Sequence, residues 1–126
     1  MAEAALLSIV IATFNSARTL QRCIDSVTSQ TFTGWELIIV DGGSPDATVD
    51  ILRANQSNVS WWHSAPDDGI YDAWNIGVNH ATGDWVTFLG ADDYFWDSAS
   101  LERLIAPANF ARHGLPGGGA TLADIA

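Results

Sequence analysis

Two adjacent carboxylates, Asp92 and Asp93, follow directly on the apolar run Val86-Thr87-Phe88-Leu89-Gly90-Ala91, and that arrangement calls for a cation. A run of apolar and β-branched residues reads as a strand buried inside a sheet. The first polar residues beyond its carboxyl end then fall where open α/β sheets hold their ligands. Carboxylates about 4 Å apart would repel by roughly 1 kcal/mol in water and about 4 kcal/mol at an effective dielectric of about 20, unless a metal or proton relieved them. Mg2+ and Mn2+ take oxygen ligands, and Mg2+ commonly uses about one or two protein carboxylates with substrate phosphates and waters completing its shell. Two acids therefore suffice if the ligand brings a diphosphate.

Other polar groups end comparable runs. Thr13 follows Leu7–Ala12, and Asp41 follows Trp35–Val40. Asp41 stands before Gly42-Gly43, which let a ligand approach the backbone and leave the carboxylate free to accept hydrogen bonds, as from a nucleobase imide N–H. Asp in a Gly-Gly turn is also an ordinary turn residue, and it is the position on a rim shared with Thr13 and Asp92–Asp93 that favours a site. Asp72 and Asn75, one helical turn apart, could line the same pocket or form the solvated side of an amphipathic helix. Trp96, beside the acidic pair, could stack on a sugar or base, whereas Trp61, Trp74 and Trp85 sit in apolar core patterns. His63, His80 and His113 have no ligand-like spacing, and neither a Gly-x-Gly-x-x-Gly nor a P-loop occurs.

The elements that must carry these groups alternate. Strands are expected at Leu7–Ala12, Trp35–Val40, Val59–His63 and Trp85–Leu89. Between them come a helix capped by Ser16 with Leu20, Cys23, Ile24 and Val27 inward and Arg18, Gln21, Arg22 and Asp25 outward, and a second around Asp46–Arg53 behind Ser44-Pro45. A third carries an apolar stripe of Ile70, Trp74, Val78 and Ala81 and stops at Gly83; a last one, capped by Asp97 or Ser98, runs to about Ile105. Strands alternating with single helices imply right-handed crossovers, so the fold class is α/β with a mostly parallel, Rossmann-like sheet and helices on both faces. Residues 1–106 form one expected domain, and the Pro/Gly/Ala-rich 107–126 is expected to be loop or tail.

Composition narrows the partners. The chain is 48 % apolar and 16 % charged, a core-forming balance. Its net charge of −10 comes from 15 acids against five arginines, with no lysine. Such a surface repels bare phosphate backbones, which sets aside nucleic acid and anionic membrane as direct partners, although a metal can still carry a phosphate into an acidic site. The single Cys23 excludes a disulfide framework or a cysteine-ligated zinc, and a cytoplasmic setting is expected. Ala4–Ala12 is too short to span a bilayer and lacks a basic flank, so neither signal peptide nor anchor is expected.

Four ordered segments together resemble family 2 glycosyltransferases: Ser8-Ile9-Val10-Ile11-Ala12-Thr13-Phe14-Asn15, Ile39-Val40-Asp41-Gly42-Gly43-Ser44-Pro45-Asp46-Ala47-Thr48, Asp68-Gly69-Ile70-Tyr71-Asp72-Ala73-Trp74-Asn75-Ile76-Gly77 and Phe88-Leu89-Gly90-Ala91-Asp92-Asp93. The resemblance runs from about Leu7 to Leu104 and is greatest to bacterial members that build exopolysaccharide, capsule or O-antigen. It implies a GT-A fold, a nucleotide-sugar donor, commonly a UDP-sugar, and a glycan or lipid-linked acceptor. Carried over, it implies that Thr13 and Asp41 contact the base, Asp92 the ribose, and Asp93 the Mn2+ or Mg2+ that bridges the donor diphosphate. Asn15, Asp72 and Asn75 match positions of the nucleotide pocket. It also implies a general base for the acceptor hydroxyl in a following half, beyond Ala126. The expectation is a truncated donor-binding half that transfers sugar poorly or not at all, cytoplasmic, and peripheral to the inner membrane in a full-length enzyme. A non-catalytic module that binds nucleotide-sugar, or pairs with another subunit through an open sheet edge, is the alternative. A phosphate-accepting signalling domain is disfavoured by the absence of lysine.

Overall fold

In the computed structural model, which describes residues 5–105, four strands alternate with helices. They are β1 (Leu7–Thr13), α1 (Leu20–Thr28), β2 (Trp35–Asp41), α2 (Thr48–Ala54), β3 (Trp61–Ser64), α3 (Ile70–Asn79) and β4 (Trp85–Gly90), with a 3-10 turn at Gln56–Asn58. Residues 100–105 are helical as well. The expected segment 107–126 and its His113 lie outside the described residues.

All four strands are parallel, in the order β3-β2-β1-β4. Parallel strands joined by helical crossovers are covered on both faces, which explains the unbroken apolar runs of β1 and β2. Ile9, Ile11, Leu37 and Ile39 meet Leu20, Cys23, Ile24 and Val27 of α1, Leu52 of α2, and Leu101 and Ile105 in one fully or nearly buried cluster. Val10 points to the opposite face, where α3 lies over β1 and β2. The α/β sheet with helices on both faces is thus as expected. Among the described residues no helix is long and apolar enough to cross a membrane.

On that opposite face the buried residues of α3 are Ala73 and Gly77, while Ile70 and Val78 are exposed. The expected stripe Ile70, Trp74, Val78 and Ala81 is therefore rotated. The cause is the closeness of helix and sheet: a Cβ added to Gly77 would stand 2.4 Å from Val10 Cγ1. Small residues face the strand because nothing larger fits. Gly77→Ala should accordingly destabilise the fold by about 1–3 kcal/mol, the usual cost of overpacking a close contact, read as a lower urea midpoint.

Two expected caps also differ. α1 begins at Leu20, its first amide bonded to the Ser16 carbonyl, while the Ser16 hydroxyl donates to the Phe14 carbonyl. α2 begins at Thr48, whose amide and hydroxyl both donate to Asp46. The Ser16 hydroxyl thus serves its own loop, while Asp46 also accepts from the Ala17 amide across the two loops.

At the amino end of the sheet, Glu36 accepts from the Ser8 hydroxyl, from the Thr82 amide at 2.6 Å and from the Thr82 hydroxyl at 2.9 Å. The Gly83 amide in turn donates to Ser8 Oγ at 2.9 Å, so the entry to β4 is clamped to β1 and β2. Burial pushes the Glu36 carboxyl up, but these hydrogen bonds outweigh it and hold the group below the ordinary carboxylate range. A group with a depressed folded pKa adds stability above its unfolded pKa and loses it as pH falls through the folded value. Wild type should therefore lose stability below about pH 4.3 more steeply than Glu36→Gln, as urea midpoints from about pH 6 to about pH 3 would show.

Candidate functional site

The strand order sets the location. After β1 the chain moves outward through β2 and β3, then returns to lay β4 on the other side of β1. Crevices at the carboxyl ends of strands flanking such a reversal are where open sheets bind ligands. The pairing levels those ends, Thr13 against Asp41 and Ala12 against Gly90. A cleft of about 960 Å³ opens there, lined by Ala12, Thr13, Phe14 and Asn15 from the end of β1, and by Gly90, Ala91 and Asp92 from the end of β4.

Beneath its floor lies Asp41, wholly buried. Its Oδ1 accepts from Thr13 Oγ1 and Ser44 Oγ, both at 2.6 Å. Its Oδ2 accepts from the Gly43 amide at 3.1 Å, the Ser44 amide at 2.8 Å and Ser64 Oγ at 2.7 Å. Gly43, at φ 84, turns the backbone so that successive amides point back at the carboxylate. The expected free carboxylate is thus occupied by the protein's own donors, since two oxygens offer about four lone-pair sites. Burial works to raise the Asp41 pKa, and the bonds from Ser44, Thr13 and Ser64 overcome it and hold the group ionised below the usual range.

Asn15 takes a left-handed backbone conformation (φ 51), and its amide donates to Ser44 Oγ at 2.8 Å. The Ser16 amide reaches Thr48 Oγ1 at 2.8 Å, so the loop after β1 is strapped to the loop after β2. Phe14, on the same loop, is 59 % exposed in the cleft wall.

At the end of β4 the chain turns tightly, the Asp93 amide donating to the Gly90 carbonyl at 3.0 Å. A Cβ on Gly90 would lie 2.8 Å from Asp93 Oδ2 and 3.0 Å from Asp92 Oδ1. Both carboxylates therefore fold toward the one spot that glycine leaves open. Behind the turn, the buried Cys23 thiol donates to the Gly90 carbonyl at 3.6 Å. Burial pushes that thiol up to about 12, the Asp93 and Asp92 charges adding to the rise and Arg22 opposing it. Arg22 lies 4.3 Å over the Tyr94 ring and donates to the Asp92 carbonyl at 3.4 Å.

Among the described residues no cluster of three or more His, Cys, Asp or Glu could hold a metal unaided. The acidic pair over Gly90 still suits a hard cation whose remaining ligands come from a phosphorylated substrate and water.

Of the residues expected to form the site, Thr13, Asn15 and Asp92 line the cleft, Asp93 flanks it across Gly90, and Asp41 supports it from below. Asp72 and Asn75 do not line it. Of α3, Ile70 and the buried Ala73 line the cleft, while Asp72 accepts from the Asp68 amide at 3.0 Å. Trp96 is 85 % exposed on the surface beyond the acidic turn. Arg18 and Arg22, read as outward-facing, are solvent-accessible but line the cleft, as does Asp67. Asp67 bonds the Gly69 amide, and both its oxygens lie 3.2 Å from where a Cβ on Gly42 would stand. The four-residue spacing of Arg18 and Arg22 was a usable signal; the closeness of Asp67 to Gly42 depends on tertiary structure.

A profile for Glycosyl transferase family 2 matches residues 8–122. A PGL/p-HBAD biosynthesis glycosyltransferase of Mycobacterium bovis is 44 % identical over 106 residues, covering 82 % of this chain and 41 % of that protein. The chain thus spans about two fifths of the length of such curated relatives. In fold, Staphylococcus aureus TarS residues 1–349 in complex with UDP-GlcNAc superpose with a TM-score of 0.77 at 22 % identity, over 84 % of this chain and 32 % of that one. A Pyrobaculum calidifontis mannosyltransferase in complex with GDP-Man and Mn2+ superposes at 0.73 and 21 % identity, over 82 % of this chain and 32 % of that one.

Proposed function

Because the chain belongs to Glycosyl transferase family 2, we propose that it forms the donor-binding part of a metal-dependent glycosyltransferase, holding a nucleoside diphosphate sugar in the cleft between β1 and β4. One observation carries this reading: Asp92 and Asp93 converge over Gly90 at the point where the strand order reverses. Acids at that point are placed to hold a diphosphate-bound cation and a neighbouring sugar hydroxyl.

In this reading Asp93 holds the cation and Asp92 the ribose. Thr13, kept in place by Asp41, meets the base edge, and the exposed Phe14 ring offers a stacking face. Mn2+ or Mg2+, when bound, would offset the negative charge that develops on the departing diphosphate. The low floor at Gly42 and Gly90 lets the ligand lie close to the backbone. A base that takes the proton of an acceptor hydroxyl, and the transfer itself, are proposed for the whole protein, of whose relatives this chain spans 41 %. A glycan or lipid-linked acceptor at the cytoplasmic side of the membrane is the corresponding proposal for its setting.

The test is calorimetric titration of UDP and of GDP into the folded 126-residue chain. Binding of at least one nucleotide in Mn2+ and its disappearance in EDTA is the expected result. Folded protein that takes up neither nucleotide in excess Mn2+ would overturn the proposal.

A further inference from the structure

The described residues include four arginines, and two of them are paired: Arg53 with Asp50 at 3.7 Å and Arg103 with Asp97 at 2.9 Å. The other two, Arg18 and Arg22, form no carboxylate pair among the described residues, and both line the cleft. In a chain of charge −10 without lysine, the two unpaired guanidinium groups therefore stand at the one cavity read as a donor site. They occupy the α1 side of it, with Asp92 at the end of β4.

Their surroundings divide the work. Arg22 lies over the Tyr94 ring and reaches the Asp92 carbonyl, which holds its guanidinium beside the turn while most of its five N–H donors remain available. The Arg18 side chain makes no hydrogen bond or ion pair among the described residues, and its whole fork is available. Planar guanidinium forks match phosphate oxygens two at a time. Carboxylates alone would repel a diphosphate; a cation on the acidic side leaves residual negative charge that groups opposite can share.

We infer that Arg18 and Arg22 are the phosphate-binding wall of this cleft, Arg18 contacting the diphosphate of the ligand directly and Arg22 both contacting it and positioning the Asp92–Tyr94 turn. The inference rests on the nucleoside diphosphate reading above, and it assigns the diphosphate a protein partner besides the acidic pair.

The test compares uridine, UMP, UDP and inorganic pyrophosphate, each titrated in Mn2+ into wild type, Arg18→Gln, Arg22→Gln and Arg53→Gln. Arg53→Gln removes the same charge from a distant exposed pair and controls for net charge. Circular dichroism checks that each variant folds. The expected result is a loss on the order of tenfold in UDP and pyrophosphate affinity for Arg18→Gln and Arg22→Gln, with uridine unaffected, Arg53→Gln near wild type, and a shallower salt dependence in the two cleft variants. Should Arg18→Gln and Arg22→Gln bind UDP as tightly as wild type, the wall is refuted and the donor reading stands. Pyrophosphate bound in an arginine-dependent way by a protein that takes up neither UDP nor GDP would uphold the wall and refute the donor reading. Wild type that binds neither UDP, GDP nor pyrophosphate refutes both.

Discussion

Asp41→Ala is expected to lower folding stability by about 3 kcal/mol or more, the range for breaking a buried polar network. The side chain is wholly buried and receives five donors, from Thr13, Gly43, Ser64 and twice from Ser44. Hydroxyls can rotate toward other acceptors; the two backbone amides of Gly43 and Ser44 cannot, and they would be left facing an empty space. Asp41→Asn fills the volume but presents an NH2 group to a site built only of donors, so it should recover little. Because hydrogen bonding holds the Asp41 carboxyl below its usual range, its contribution is present above the unfolded pKa and is lost as pH falls through the folded one. Urea unfolding at neutral pH measures the effect directly. A loss under about 1 kcal/mol for Asp41→Ala would mean that the network is dispensable, which typical hydrogen-bond energies argue against.

Asp93→Ala should abolish metal-dependent nucleotide binding while leaving the fold intact. Outer partners of metal ligands already cost about ten- to hundredfold in affinity when removed, and an inner carboxylate should cost more. Gly90→Ala offers an independent route to the same outcome without touching either acid, because its methyl group would stand 2.8 Å from Asp93 Oδ2 and 3.0 Å from Asp92 Oδ1. Both variants should unfold near the wild-type urea midpoint and show weakened UDP titrations in Mn2+. If Asp93→Ala bound UDP in Mn2+ as wild type does, the cation would have to be held elsewhere, and the role given to the acidic turn would fall.

Much of this architecture could be read from residue order. Ile9-Val10-Ile11 and Ile38-Ile39-Val40 are unbroken apolar stretches because each strand is covered on both faces, and that is visible without coordinates. The rim was legible for the same reason: the first polar residue after each run had to surface at the strand's end. What could not be read was distance. Ile70, Trp74 and Val78 have the right spacing for a buried stripe, yet Ala73 and Gly77 face the sheet because α3 sits too close to Val10 for larger side chains. Asp41 appeared free because nothing in its immediate sequence shows that Thr13 and Ser64, distant along the chain, would spend their hydroxyls on it. Arg18 and Arg22 were placed correctly in solvent, but the solvent they face is that of the cleft.

Asn15 illustrates a different limit on reading motifs. Its left-handed backbone is one that Gly adopts freely and that Asn and Asp tolerate better than most other side chains. The amide, not the carboxamide, makes its bond to Ser44. The asparagine in this segment thus meets a dihedral requirement before any ligand arrives, and the alphabet allowed there is narrow for reasons of shape alone. Glycine in its place would keep the turn and delete the side chain, whereas alanine would disturb both at once. A motif letter at such a corner records the path of the chain at least as much as the chemistry of the site.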